Sequence, residues 1–276
     1  MERPSRKRNT IVYIALIFII SILLVPLYWG LSTSLKPHID TMDYPPRWFP
    51  KTFTLSNYLE VLQAGMLRYF LNSALYAIGT IFVALFVGIH AAYAAAKIKF
   101  RFKNIILFII LMAAMIPGVA MLPGYYIVSQ VMGLHDTYFC LILVYSAWLT
   151  PPVIWLLRGF FETIPYELVE AALIDGSTHL GALYRIGLRI AQPGIAAAAI
   201  FIFVNVWNDF LFSVTLTISA KMRSTQVGLY NYWGDTGLYW GRFMAYSIMS
   251  IIPVAMVFLI SQKRFIQGLT AGSVKG

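Results

Sequence analysis

The sequence has little charge and almost no cysteine. Only 12% of its 276 residues are Asp, Glu, Lys or Arg. A soluble domain of that length carries far more charge on its surface, so the scarcity argues against an ordinary soluble fold. The single cysteine, Cys140, can form no disulfide within the chain. It lies in an apolar stretch and reads as a small buried hydrophobe. No glycine is followed by lysine, so the chain has no G-x-x-x-x-G-K-[ST] phosphate cradle of its own. H-E-x-x-H, C-x-x-C and G-x-S-x-G are absent as well. The four histidines (His38, His90, His135, His179) are scattered and make no zinc set. This inventory offers no enzyme chemistry, and no cofactor or metal is expected.

What is present is apolar. Hydrophobic residues make up 59% of the chain, and long uncharged runs alternate with short polar connections. The expected spans are residues 11–31, 69–96, 105 to about 121, 138–157, 193 to about 218, and 243–261. The first run is too long for a signal peptide and lacks a small-residue cleavage site, so it reads as a retained span. Pro117-Gly118 and Pro123-Gly124 are expected to end the third span in an irregular segment, 125–137. Pro151-Pro152 is expected to break the fourth. The net charge of +10 is spread beside these spans rather than gathered in one stripe, which disfavours nucleic acid. The first ten residues, the loop Lys97–Lys103, the stretch 158–192 and the C-terminal tail hold fourteen Lys and Arg; the other three connections hold seven. Basic connections stay in the cytoplasm. The expectation is an all-α integral membrane protein with six transmembrane helices and both termini cytoplasmic. Its parts are a tail at 1–10, a first span at 11–31, a core at 69–262 and a tail at 263–276.

The stretch 158–192 interrupts this pattern. Four of the eleven acids fall between Glu162 and Asp175: Glu162, Glu167, Glu170 and Asp175. Pro165 suits the first turn of a helix, and Glu167 follows where the helix dipole favours a carboxylate. Tyr166, Leu168, Ala171, Ala172 and Ile174 are expected to form an apolar face. Gly176 is expected to stop that helix and Ser177 to cap a second one running through Arg185 and Arg189. One reading is two surface helices on a long loop; the other is a helical hand for a partner to grip.

The fifth span carries Asn205, Asn208 and Asp209 at helical spacing i, i+3, i+4. A carboxylate inside a span faces a cavity or a partner, because lipid exposure is costly. These residues either line a route for a polyhydroxylated solute or hydrogen-bond to other helices, with Asp209 near the outer interface. His90, in the second span, reads as a packed polar residue rather than a ligand.

The order Glu170-Ala171-Ala172, then Asp175-Gly176, then Ile186 and Leu188, resembles the EAA loop of ABC importer permeases. Arg189 stands where that family usually has a proline, while Pro193 fits the second family proline. Ser34-Leu35-Lys36-Pro37, Asn57-Tyr58, Asn72-Ser73, Gly133-Leu134 with Thr137, residues 207–211 and the tail Gly268-Leu269-Thr270-Ala271-Gly272 to Gly276 resemble the maltose-type, carbohydrate-uptake branch of that family. The resemblance implies a type I importer in the bacterial inner membrane. In such a machine this chain is half of the sugar pathway, beside a second and usually different permease subunit. Two ATPase subunits bind ATP and receive the coupling helices, and an extracytoplasmic binding protein delivers the sugar. Glu170, Ala171, Ala172, Asp175 and Gly176 are then the ATPase-coupling residues. Asn205, Asn208 and Asp209 are then the candidate pathway residues. Glycerol phosphate or a polyamine is an alternative solute, though a polyamine favours more pathway carboxylates than Asp209 alone. An ion-coupled secondary transporter is the other class, but no internal repeat is visible and intramembrane charge is sparse.

Overall fold

The structure, a computed structural model, describes residues 6–234 and 237–271. Helix α1 (Arg6–Ser34) covers the first apolar run and already begins inside the expected polar tail. A 3-10 turn (His38–Met42) and α2 (Ser56–Gln63) follow. Helix α3 (Met66–Lys97) is 32 residues long and has no proline. The third apolar run is α4 (Lys103–Met115) and α5 (Gly118–Val131), bent by 95° at Pro117. The segment after Pro123 is therefore helical as far as Val131, not irregular. Pro123 sits within α5, so the missing N–H there does not end the helix.

Helix α6 (Tyr138–Glu162) runs unbroken through Pro151 and Pro152, against expectation. It packs between α4 and α10, and Tyr145, Leu149, Val153, Leu157 and Phe161 along it are buried. Proline is tolerated inside a membrane helix that is held by its neighbours in this way. The polar stretch becomes α7 (Tyr166–Ile174), α8 (His179–Ala182), one π turn (Leu183–Gly187) and α9 (Leu188–Ile190). Helix α10 (Gln192–Trp207) opens on Pro193 and stops well before residue 218. Helix α11 (Leu211–Leu216) completes that run, and α12 (Thr225–Leu229) follows. Strands β1 (Trp233–Gly234) and β2 (Gly237–Leu238) pair antiparallel, a two-residue exception to an otherwise helical chain. Helix α13 (Trp240–Ala271) holds Pro253 inside it and extends the sixth run at both ends. The expected tail residues 272–276 and 1–5 lie outside the described residues.

Among the described residues, four helices are long and apolar enough to cross a membrane: α1, α3, α6 and α13. The count reaches six if each bent pair, α4 with α5 and the 179–190 segment with α10 (79°), is one span. The chain divides into two compact units, Met1–Leu67 with Leu229–Ile252, and Arg68–Gly228 with Pro253–Gly276. In the first, the Asn57 amide donates to the carbonyls of Ser34 (2.9 Å) and Lys36 (2.8 Å), and the Ser34 and Tyr58 hydroxyls pair at 2.7 Å. Two short sequence signatures thus turn out to be one local contact. Glu60 pairs with Arg242 in the same unit. In the second, the core surrounds α6 and includes Cys140, which is buried as expected.

Candidate functional site

The candidate coupling segment grows from the end of α6. Pro165 is the N-cap of α7 rather than a residue of its first turn, and Glu167 occupies that turn. A 3.6-residue period cannot turn adjacent alanines the same way. Val169 is buried and Ala172 and Leu173 half-buried against the chain, whereas Ala171 is exposed with Leu168, Glu170 and Ile174. Of the two expected contact alanines, only Ala171 faces out. Ile174 is 86% exposed, an unusual position for isoleucine beside a packed core. The helix ends in a Schellman arrangement. Gly176 donates to Leu173 O (3.0 Å), and Ser177 donates to Ala172 O (2.9 Å). Gly176 has φ +82°, where a Cβ is strained. Asp175 is the C-cap and is exposed. The second helix is capped by Thr178, not Ser177: its hydroxyl accepts from Gly181 N at 3.1 Å. The shift of one residue follows from the Schellman turn, which uses Ser177 N to close α7.

Helix α3 holds both sides of this element. The Lys97 ammonium donates to the carbonyl of Ile164, just before α7. The Tyr93 ring meets Phe161 edge-on at 5.5 Å. His90 Nε2 lies 2.9 Å from the Tyr184 hydroxyl in the π turn. These three residues are spaced 3 and 4 apart, on one helical face. Sequence reading took Lys97 only as a marker of sidedness and His90 as packing. No spacing rule announced that either would fasten the loop. On the far side, a Cβ at Gly194 would run into the Phe160 ring, so α10 meets the end of α6 backbone against side chain.

The expected polar face of the fifth span is divided by the structure. Asn205 lies within α10, Asn208 is its C-cap, and Asp209 lies beyond it. Each asparagine turns its N–H back on its own helix, to Phe201 O (2.8 Å) and Val204 O (3.0 Å). Asp209 accepts from the buried Tyr145 hydroxyl (2.8 Å) and from Ser213 N (3.1 Å), so it braces α6 and caps α11. All three still border one open recess of about 460 Å³, with Trp148, Phe210 and Leu211. The break at Asn208–Phe210 makes the recess, because a continuous helix would have filled it.

The loop after α11 is held by α3 and α6. Asn72 donates to Lys221 O and Arg223 O (both 2.8 Å) and accepts from Tyr138 (2.6 Å). Thr225 N donates to Ser73 Oγ (2.8 Å), and Tyr76 donates to Met222 O (2.5 Å). Asp136 accepts from Ile218 N (2.9 Å) and Ser219 N (3.1 Å). Burial works against its charge, but these N–H donors outweigh it and hold the carboxyl below the usual Asp range. Among the described residues no group of His, Cys, Asp and Glu is placed to hold a metal ion.

Residues 84–270 match the family described as the binding-protein-dependent transport system inner membrane component. The chain is 34% identical over 261 residues to the sulfoquinovosyl glycerol transport system permease protein SmoH of Agrobacterium fabrum, covering 93% of this chain and 92% of that one. It is 33% identical to the trehalose transport system permease protein SugB of Mycobacterium tuberculosis (92% and 93% covered). It is 30% identical to the trehalose/maltose transport system permease protein MalG of Thermococcus litoralis (99% of each). Its fold is that of a chain in the crystal structure of a bacterial ABC transporter for the import of alginate, with a TM-score of 0.82 at 23% identity, covering 96% of this chain and 100% of that one. The chain belongs to the binding-protein-dependent transport system inner membrane component family, and it is a multi-pass membrane protein.

Proposed function

We propose that this family member is one permease subunit of an ATP-driven importer for a neutral or glycosidic sugar. It forms half of the pathway beside a second permease subunit and couples through α7 to a separate ATPase subunit. ATP is bound and hydrolysed there; in this chain no glycine precedes a lysine. A solute-binding protein delivers the sugar from outside, as the family description implies. The substrate class rests on the relatives, whose names specify sulfoquinovosyl glycerol, trehalose and trehalose/maltose. The Lys and Arg asymmetry places Lys97–Lys103 and α7 in the cytoplasm, where an ATPase works.

The observation that carries the reading is α7 itself. A nine-residue helix is pinned at its entry by Lys97 and closed by Gly176, yet leaves Leu168, Ala171 and Ile174 uncovered between Glu167, Glu170 and Asp175. Apolar centre and charged rim are the anatomy of a docking face. Ala171 keeps that face thin, so a groove can close over it. Ala171→Trp leaves the chain's own packing alone, because the residue is exposed. It is expected to abolish co-purification of the ATPase and sugar uptake, with normal membrane insertion. Glu170→Ala is expected to cost little, as a rim charge does. Retained ATPase and normal uptake in Ala171→Trp would rule out α7 as the coupling element.

A further inference from the structure

A second recess lies in the other unit, where α1 ends. It is about 260 Å³, and the argument turns on six of its residues: Trp29, Thr33, Lys36, Asp40, Arg47 and Trp240. It is enclosed by the C-terminal end of α1 and the N-terminal end of α13, which share a membrane face. Under the orientation proposed above, the end of the first span faces outside.

Its polar groups are incompletely paired. Thr33 is 5% exposed, and its hydroxyl has no hydrogen-bond partner. Lys36 is 3% exposed; its ammonium donates to Arg47 O at 2.5 Å and stands 4.7 Å from the Trp29 ring centroid. One of its three N–H donors is thus used on oxygen. Burial lowers its proton affinity, and Asp40 and Asp43 counter that. Arg47 pairs with Asp43 at 3.0 Å, leaving the Asp40 carboxylate facing Lys36 without a hydrogen bond of its own among the described residues. A buried hydroxyl with no partner costs roughly 1–3 kcal/mol. A structure that tolerates one beside a spare carboxylate and a spare ammonium is arranged to receive something.

The set defines the guest. Two cations and two carboxylates cancel, so neither an anion nor a cation is selected. An acceptor carboxylate, a donor ammonium and a hydroxyl that does both match the hydroxyls of a sugar ring. The indole of Trp240 offers an apolar wall for its C–H face. We propose that this recess is a second saccharide subsite, taking one ring of a neutral sugar on the outer side. The proposal rests on the sugar-import reading.

Import is scored in proteoliposomes with the binding protein present, and binding is scored on the full reconstituted complex in lipid nanodiscs without it. The probe is whichever of trehalose, maltose and cellobiose the complex imports; glucuronate and spermidine serve as charged controls. Saturation-transfer NMR titration is expected to give saturable binding of the neutral disaccharide and none of the controls. Asp40→Asn is expected to weaken it about tenfold or more, and Thr33→Val about threefold to tenfold. Thr33→Val also separates this role from a structural one. Removing an unpartnered buried hydroxyl without changing shape is expected to leave the melting temperature unchanged or raised, so a binding loss with full stability belongs to the ligand. A complex that imports the sugar yet binds none of it at this site overturns the subsite alone. So does binding indifferent to both substitutions, or an effect only of Asn205→Ala. Failure to import any of the three overturns the subsite together with the sugar reading.

Discussion

The hydrogen bonds of Asp209 have a measurable size. Its carboxylate accepts a hydrogen bond from the hydroxyl of Tyr145, which is fully buried, and caps α11 through Ser213 N. In Asp209→Ala the Tyr145 hydroxyl is left without an acceptor, at a cost of about 1–3 kcal/mol. Loss of the cap adds about 0.5–2 kcal/mol. The expected total is roughly 1.5–5 kcal/mol, or a rise of between about tenfold and several thousandfold in the open population. Tyr145→Phe removes the stranded hydroxyl, so Asp209→Ala combined with Tyr145→Phe is expected to cost less than the sum by about 1–3 kcal/mol. Cys140 supplies the assay. It is the only thiol, it is buried, and it sits on α6 five residues before Tyr145. Its rate of labelling by a fluorogenic maleimide under mild thermal stress reports opening of that packing. If Asp209→Ala labels at the wild-type rate while sugar uptake falls, the carboxylate serves the solute and not the fold, and the bracing argument is refuted.

Two further outcomes are expected. Asp136 has a lowered carboxyl pKa in the folded state, so its contribution is fully present above the ordinary Asp value of about 3.9 and is lost as pH falls through the lowered folded value. Amide-exchange protection at Ile218 and Ser219 is expected to follow that loss, and Asp136→Ala to lower it about tenfold at neutral pH; equal protection in the variant would dismiss the clamp. Single cysteines at Lys99 and Gln130, in a background without Cys140, are expected to react with an impermeant maleimide from opposite sides of the membrane. Labelling of both from outside would sink the orientation.

Hydropathy alone revealed the number and order of the apolar runs, because lipid solubility needs about 20 apolar residues whatever their tertiary context. It misjudged continuity. Pro151-Pro152 did not break α6, whose neighbours supply packing, whereas the fifth run broke at Asn208–Phe210 with no proline at all. Local rules found the Gly176 stop, since φ above zero leaves a mark in composition, and missed Thr178 by one residue. Long-range fastening was invisible. Lys97 to Ile164 and Asn72 to Lys221 join residues 67 and 149 positions apart, and no periodicity encodes such partners.

Helix α3 is fastened at both ends. Asn72, Ser73 and Tyr76 hold the loop 221–225, and His90, Tyr93 and Lys97 hold the coupling segment. Between them the helix has no proline to bend at, over a length of about 48 Å for the whole element. Mechanically it is a push-rod. Any shift at the Ile164 end that leaves its bonds intact reappears at the 221–225 end, and the edge-on contact of Phe70 with Trp207 (5.5 Å) passes it to the end of α10 as well. A displacement of this one helix therefore reaches the loop 221–225 and the end of α10 together, and the segments at its two ends are not free to change in sequence independently.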